Sequence, residues 1–273
     1  MYRQRFGFSG HPLPKNAQGK TFFEQGPGYK KLRRAFRQLV DDPGLGVLTG
    51  EAGVGKTAAI RNLCGELSRP DHLVLYRCDT AVAPLDLYRS LALELGVRPS
   101  HRRAQLWADI KNTLLHMVDE RACSPLIVID EAQHLSDHFL VDLSGFLNFA
   151  FDSRDLLTLW LVGMPVLSRH LRMQQHAPLA MRVVHQVQLE PLDRELFGAM
   201  IEHALKAAGA VQNLLSDPAR ELLFRASRGV PRVAAGLLRR ALIEAHEHNQ
   251  VFLDEHIMEA AIDAAPAVQG VGA

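Results

Sequence analysis

The chain has 273 residues, 47% hydrophobic and 22% charged, which fits an ordinary globular protein and excludes a disordered polymer or a disulfide-stapled miniprotein. No apolar run reaches 18 residues, the longest being LLTLWLVGMPVL (156–167), and MYRQRFGFSG at the N-terminus lacks the apolar core of an export signal; the expectation is a bacterial cytoplasmic protein without membrane contact. Net charge is +1 but uneven: residues 1–40 hold nine Lys/Arg against Glu24 alone, +8 in that segment and −7 in the remainder.

Such asymmetry points to an acidic partner at the N-terminal end, nucleic acid first; a solvated basic helix face is the plainer alternative. YKKLRRAFRQLV (29–40) predicts an amphipathic helix, with Leu32, Phe36 and Leu39 on one face and Lys30, Lys31, Arg33, Arg34 and Arg37 on the other. LGVLT (45–49) then reads as a strand, and KTAAIRNLCGEL (56–67) as the helix after it. LVLYRC (73–78) is a second strand, followed by helices over 84–95 and 102–118. In the latter, Leu106, Ile110, Leu114 and Met117 share a face. LIVID (126–130), LLTLWLV (156–162) and VVHQVQL (183–189) complete five strands. Strands alternating with helices of this length need crossover connections, so the expected fold class is α/β, with a doubly wound, mostly parallel five-stranded sheet.

After Pro191 the strands stop. Residues 193–208, 217–228, 231–248 and 254–264 read as helices, with Asp217-Pro218 supplying an N-cap and a first-turn proline and Pro231 filling the same slot. The expected organisation is a basic N-terminal segment and helix (1–40), an α/β domain (41–190), a small all-helical domain (191–264) and a flexible tail (265–273). Cys64, Cys78 and Cys123 are isolated in apolar settings, the pattern of buried free thiols in a reducing compartment. HEHNQ (246–250) offers His246 and His248 at i, i+2; on a helix they face apart, so metal binding is not expected there.

The chemistry centres on GEAGVGKT, residues Gly50, Glu51, Ala52, Gly53, Val54, Gly55, Lys56 and Thr57, running into Ala58. It follows a strand and opens a helix, the context of a phosphate-binding loop. Glycines let backbone N–H groups turn around a β-phosphate, Lys56 suits the β- and γ-phosphates, and the Thr57 hydroxyl suits Mg²⁺. In PLIVIDEAQHL (125–135), Asp130 ends a strand where it can hold Mg²⁺ through water, and Glu131 is placed to act as general base on the attacking water. ATP and Mg²⁺ are the expected ligands.

GEAGVGKT, IDEAQHL, LVGMP (161–165), MRVVHQVQLEPLD (181–193) and SRGVPR (227–232) stand in the order of a known family. On these motifs the chain resembles the AAA+ ATPases of the ExeA-type secretion and TniB/TnsC-type transposition group, from about Phe6 to Ile262. The resemblance implies Lys56 and Thr57 as Walker A ligands, Asp130 and Glu131 as Walker B, Arg182 as an arginine finger acting on a neighbouring protomer, and Arg232 as a sensor-2 arginine from a helical lid. The pattern departs at Met164, where the family's sensor-1 strand carries a polar residue. Methionine cannot orient water by a hydrogen bond, which implies a slow ATPase using ATP as an assembly switch, stimulated by partner or DNA.

The resemblance further implies a homo-oligomer, ring or helical filament, that assembles on duplex DNA without sequence preference and recruits a transposase, with a targeting protein as a further partner. Arg102, Arg103 and Lys111 join the basic residues of 30–37 as expected DNA contacts. A secretion-assisting ATPase, a nucleotide-gated scaffold and a helicase loader are the alternatives; ExeA-type proteins continue into a transmembrane helix and an envelope-binding domain past the ATPase, which weighs against the first of these.

Overall fold

The computed structural model describes residues 2–78, 83–210 and 213–265, so all but the first residue of the expected tail lies outside the described residues. The helices are α1 (Tyr2–Arg5), α2 (Pro27–Asp41), α3 (Lys56–Gly65), α4 (Pro84–Glu94), α5 (Arg103–Arg121), α6 (Asp137–Phe146), α7 (Val166–Leu171), α8 (Ala177–Ala180), α9 (Arg194–Ala208), α10 (Asp217–Ser227), α11 (Pro231–Glu247) and α12 (Glu255–Asp263). The strands are β1 (Leu45–Gly50), β2 (His72–Arg77), β3 (Ser124–Ile129), β4 (Thr158–Gly163) and β5 (Val183–Leu189).

The strands form one sheet in the order β2-β3-β4-β1-β5, and every pairing is parallel. Its interior strands are apolar because both faces of a parallel sheet are covered: β1 and β4 are buried throughout. The edge strand β5 instead alternates exposed and covered residues. Register is set by Leu45 opposite Leu159 on one side and Val183 on the other. The α2 helix turns Leu32, Phe36 and Leu39 inward, and Phe36 stacks on Trp160 of β4 with ring centroids 6.2 Å apart. Each such buried side chain contributes roughly 1.5–3 kcal/mol of transfer free energy. The sheet is wholly parallel rather than mostly so, and α6, α7 and α8 are helices that the periodicity did not predict.

The chain divides into two compact units, neither continuous in sequence. One comprises residues 27–51 and 59–189 and holds the sheet; the other comprises 1–26, 52–58 and 190–273. The basic N-terminal segment is therefore shared between them at the Gly26/Pro27 junction. In the helical unit, Tyr2, Phe6 and Phe8 join Phe197, Met200, Leu223 and Leu238 in one apolar cluster. Arg5 donates to the Gln250 carbonyl at 2.9 Å and to Asn249 Oδ1 at 3.0 Å, so part of the N-terminal charge is spent inside the unit. Asp193, Ser216 and Asp254 cap α9, α10 and α12, each side chain accepting a backbone N–H from the first turn, so Ser216 and not the expected Asp217 is the N-cap of α10, and Asp217 is its first helical residue. Among the described residues no helix is long and apolar enough to cross a membrane.

Candidate nucleotide site

Because the sheet is parallel, β1, β3 and β4 all end on one edge, which brings Gly50, Asp130 and Met164 to the strand termini where α/β sheets place ligands. Past β1 the loop turns through Gly53 and Gly55, with φ of 85° and 101°, before α3 begins at Lys56. Those left-handed values suit glycine and let successive N–H groups converge, the geometry of an anion cradle. Lys56 is only 8% exposed.

The same loop is tied to α11. The Arg232 N–H donates to the Gly53 carbonyl at 3.2 Å, and a Cβ on Gly53 would sit 3.0 Å from both Arg232 Cβ and Val230 Cγ1. Arg232 reaches this place through a tight turn. Arg228 caps α10 in the left-handed region, Gly229 follows at φ 73°, and Pro231 opens α11. Leu192 donates to the Gly229 carbonyl at 3.0 Å, and a Cβ on Gly229 would lie 2.0 Å from the Leu192 carbonyl oxygen.

The carboxylates at the end of β3 sit in a network of their own. Asp130 is 2% exposed; its Oδ2 accepts from the Tyr76 hydroxyl and its Oδ1 from the Glu131 N–H, both at 2.9 Å. Burial first, and the Asp130 charge second, push the Tyr76 pKa up, so the hydroxyl keeps its proton and remains a donor. Glu131 takes the left-handed conformation at φ 53°. Its Oε2 accepts from Gln133 Nε2 at 2.6 Å, and Gln133 Oε1 accepts the Met164 N–H at 3.0 Å. Tyr76 and Gln133 were not among the residues that sequence reasoning singled out. The signals were present as a tyrosine near the end of β2 and the glutamine of IDEAQHL. A carboxylate at the end of a strand is the kind of group that holds Mg²⁺, and a buried lysine behind a glycine loop is the kind that holds a polyphosphate.

Arg182 lies between α8 and β5, and its guanidinium forms an ion pair with Asp152, itself left-handed at φ 63°. Of the expected DNA contacts, Lys30, Lys31, Arg34 and Arg37 are exposed on α2, and Arg37 also approaches Glu66 at 3.5 Å. Arg33 is partly covered and pairs with Glu66 at 3.3 Å. Arg102 is exposed at the start of α5. Arg103 and Lys111 are used inside the sheet unit. Arg103 pairs with Asp142 at 2.7 Å over the Trp107 ring, and Lys111 Nζ donates to the carbonyls of Asn148 and Gly145 at 2.7 and 3.3 Å. Burial, then the charge of Arg182, holds the Lys111 ammonium below the usual lysine pKa. Cys78 also departs from expectation: it is exposed, because it falls just past the end of edge strand β2. No cluster of three or more metal-ligating His, Cys, Asp or Glu occurs among the described residues.

Residues 38–171 match the family model described as AAA domain. Among curated proteins, General secretion pathway protein A of Aeromonas hydrophila is 30% identical over 247 residues, which cover 90% of this chain and 45% of that protein. The chain thus spans less than half the length of that relative. Among solved structures, the Aeropyrum pernix ORC2 protein in its ADP form is similar at 16% identity and TM-score 0.68, covering 96% of this chain and 72% of that one. Drosophila ORC bound to DNA gives 16%, 0.71, 97% and 66%. The Thermotoga maritima RuvB Holliday junction branch migration motor gives 17%, 0.60, 88% and 69%. The fold is that of the AAA+ P-loop ATPases.

Proposed function

We propose that this chain is a Mg-ATP-dependent ATPase whose ATP state assembles into homo-oligomers on duplex DNA, and that it regulates transposition by recruiting a transposase. The observation that carries the ATPase reading is the Asp130–Glu131 pair at the end of β3, the buried Asp130 held by Tyr76 and the exposed Glu131 by Gln133. Lys56 and the backbone amides of 50–58 bind the phosphates. Thr57 and Asp130 hold Mg²⁺, Glu131 takes the proton of the attacking water, Arg232 contacts the γ-phosphate in its own protomer and Arg182 contacts that of a neighbour. Bound ATP between protomers makes assembly a nucleotide-linked equilibrium. The exposed basic face of α2 supplies sequence-nonspecific phosphate contacts, repeated once per protomer. The DNA bound in the Drosophila ORC structure supports this partner by analogy of fold.

The test is sedimentation of the full chain with plain duplex DNA, with and without ATP, over a salt series. ATP-dependent, salt-sensitive co-assembly on any sequence is expected, and no binding with ATP at low salt sinks the DNA reading. A second reading, an ATPase that assists a secretion machine, is favoured by the likeness to General secretion pathway protein A. ATP-dependent self-assembly without DNA binding is the result it predicts.

A further inference from the structure

At the end of β4, where the family resemblance implies a polar side chain, stands Met164. Yet a polar group does occupy that strand end. Gln133 is folded back from the 3₁₀ turn after β3 and is 9% exposed. Its Oε1 accepts the Met164 N–H at 3.0 Å. Because a backbone N–H can only donate, this bond fixes the orientation of the amide: the NH₂ end must face the other way. There it donates to Glu131 Oε2 at 2.6 Å, the short distance of a charge-assisted bond.

The backbone makes room for this arrangement. A Cβ at Gly163 would lie 2.6 Å from Gln133 Oε1 and 3.3 Å from its backbone N, so the last residue of β4 has to be glycine for the amide to seat. Glu131 is itself held in the left-handed region, and its N–H is committed to Asp130 Oδ1. With the backbone of Glu131 fixed on one side and its carboxylate fixed on the other, the carboxylate has one preferred direction.

We infer that Gln133 is a positioning residue for the ATPase reaction, taking over through its side chain the polar role that Met164 leaves open at the end of β4. It acts through Glu131, and the inference rests on the ATPase reading proposed above. One amide hydrogen aims the general base, and the amide as a whole ties that base to the end of β4. Alignment of this kind acts on the chemical step rather than on substrate binding.

Gln133→Glu separates the two bonds. A carboxylate still accepts from the Met164 N–H, but it cannot donate to Glu131 and repels it. Phosphate release, ATP affinity by equilibrium binding, and thermal melting are measured on the full chain. The expected result is a kcat lower by roughly 10- to 100-fold with affinity close to wild type, in a protein that still melts cooperatively but at a lower temperature, because two carboxylates now adjoin. Gln133→Ala falls similarly, and adding Met164→Gln to it restores turnover, because the amide is returned from the other side. In the nucleotide-free protein, the side-chain ¹⁵N amide resonance of Gln133 moves on Glu131→Ala. Turnover of Gln133→Glu within twofold of wild type, or faster than wild type, overturns the inference, as does a loss confined to affinity. Wild-type turnover that Lys56→Ala leaves unchanged overturns the ATPase reading itself, so the two failures are told apart.

Discussion

The Arg232 N–H donates to the carbonyl of Gly53 at 3.2 Å, so the first turn of α11 and the glycine loop after β1 share a hydrogen bond. Gly53 has a φ of 85°, and its missing Cβ is what allows Arg232 and Val230 to close on it. Gly53→Ala is expected to cost about 1–3 kcal/mol in backbone strain and to displace Arg232. Chemical denaturation gives the first effect, and ATP affinity, weakened at least as much as in Arg232→Ala, gives the second. An unchanged melting curve with unchanged affinity refutes this coupling.

Two glycines of the helical unit should respond with opposite signs. Gly229→Ala drives a Cβ to within 2.0 Å of the Leu192 carbonyl oxygen at φ 73°, so the loss exceeds the roughly 1–3 kcal/mol of backbone strain alone. Gly236 lies inside α11 with nothing within 4 Å of where a Cβ would stand. Gly236→Ala should stabilise by about 0.5–1 kcal/mol. Denaturant midpoints of both variants check the pair.

Arg182 pairs with Asp152 in its own chain, which holds the guanidinium in place before any neighbour arrives. If it serves an adjacent protomer, Lys56→Ala and Arg182→Ala proteins are each inactive alone. Mixed, they regain turnover at sites that combine the intact Lys56 of one with the intact Arg182 of the other. Phosphate release that stays at baseline across all mixing ratios excludes the trans role.

Burial pushes the Cys64 thiol pKa from 9.0 up to about 12. The folded state therefore prefers the neutral thiol, and this contribution is complete below pH 9.0 and lost as pH rises toward 12. At neutral pH the exposed Cys78 reacts first, and the half-buried Cys64, whose thiol is held protonated, reacts later, as peptide mapping after brief iodoacetamide treatment will show. Early labelling of Cys64 overturns the assignment.

The basic face of α2 makes a quantitative claim about salt. Removing Lys30 and Lys31 together should weaken duplex binding uniformly across sequences and reduce the salt slope by about two. Removing Lys111 should instead lower stability, because its ammonium ties the carbonyls of Gly145 and Asn148. A Lys111→Ala variant with normal melting and a reduced salt slope would reverse that division.

The alternation of strands and helices was readable because each strand is a short apolar run and each long helix shows its period over two or more turns. Boundaries then fell within three residues of those observed. The helices α7 and α8 were not, since six and four residues are too short to establish a period; α6 went unpredicted although Phe139, Leu140, Leu143 and Phe146 are buried at helical spacing. The site divides in the same way. Lys56, Thr57, Asp130 and Glu131 announce themselves by local spacing. Tyr76 does not: its hydroxyl meets Asp130 only because β2 pairs with β3 in a register that sets Tyr76 opposite Val128. Gln133 depends on the same kind of non-local fact, the closeness of the β3 and β4 ends.

The strand order has a consequence for biosynthesis. β1 leaves the ribosome first, yet both of its partners, β4 and β5, come last, with Leu45 waiting for Leu159 and Val183. At translation speeds of about 5–20 residues per second, this strand, buried throughout in the fold, stays without a hydrogen-bonded neighbour for on the order of 10 s. The chain should accordingly depend on a holding chaperone during synthesis, and slowing translation should lower its soluble yield.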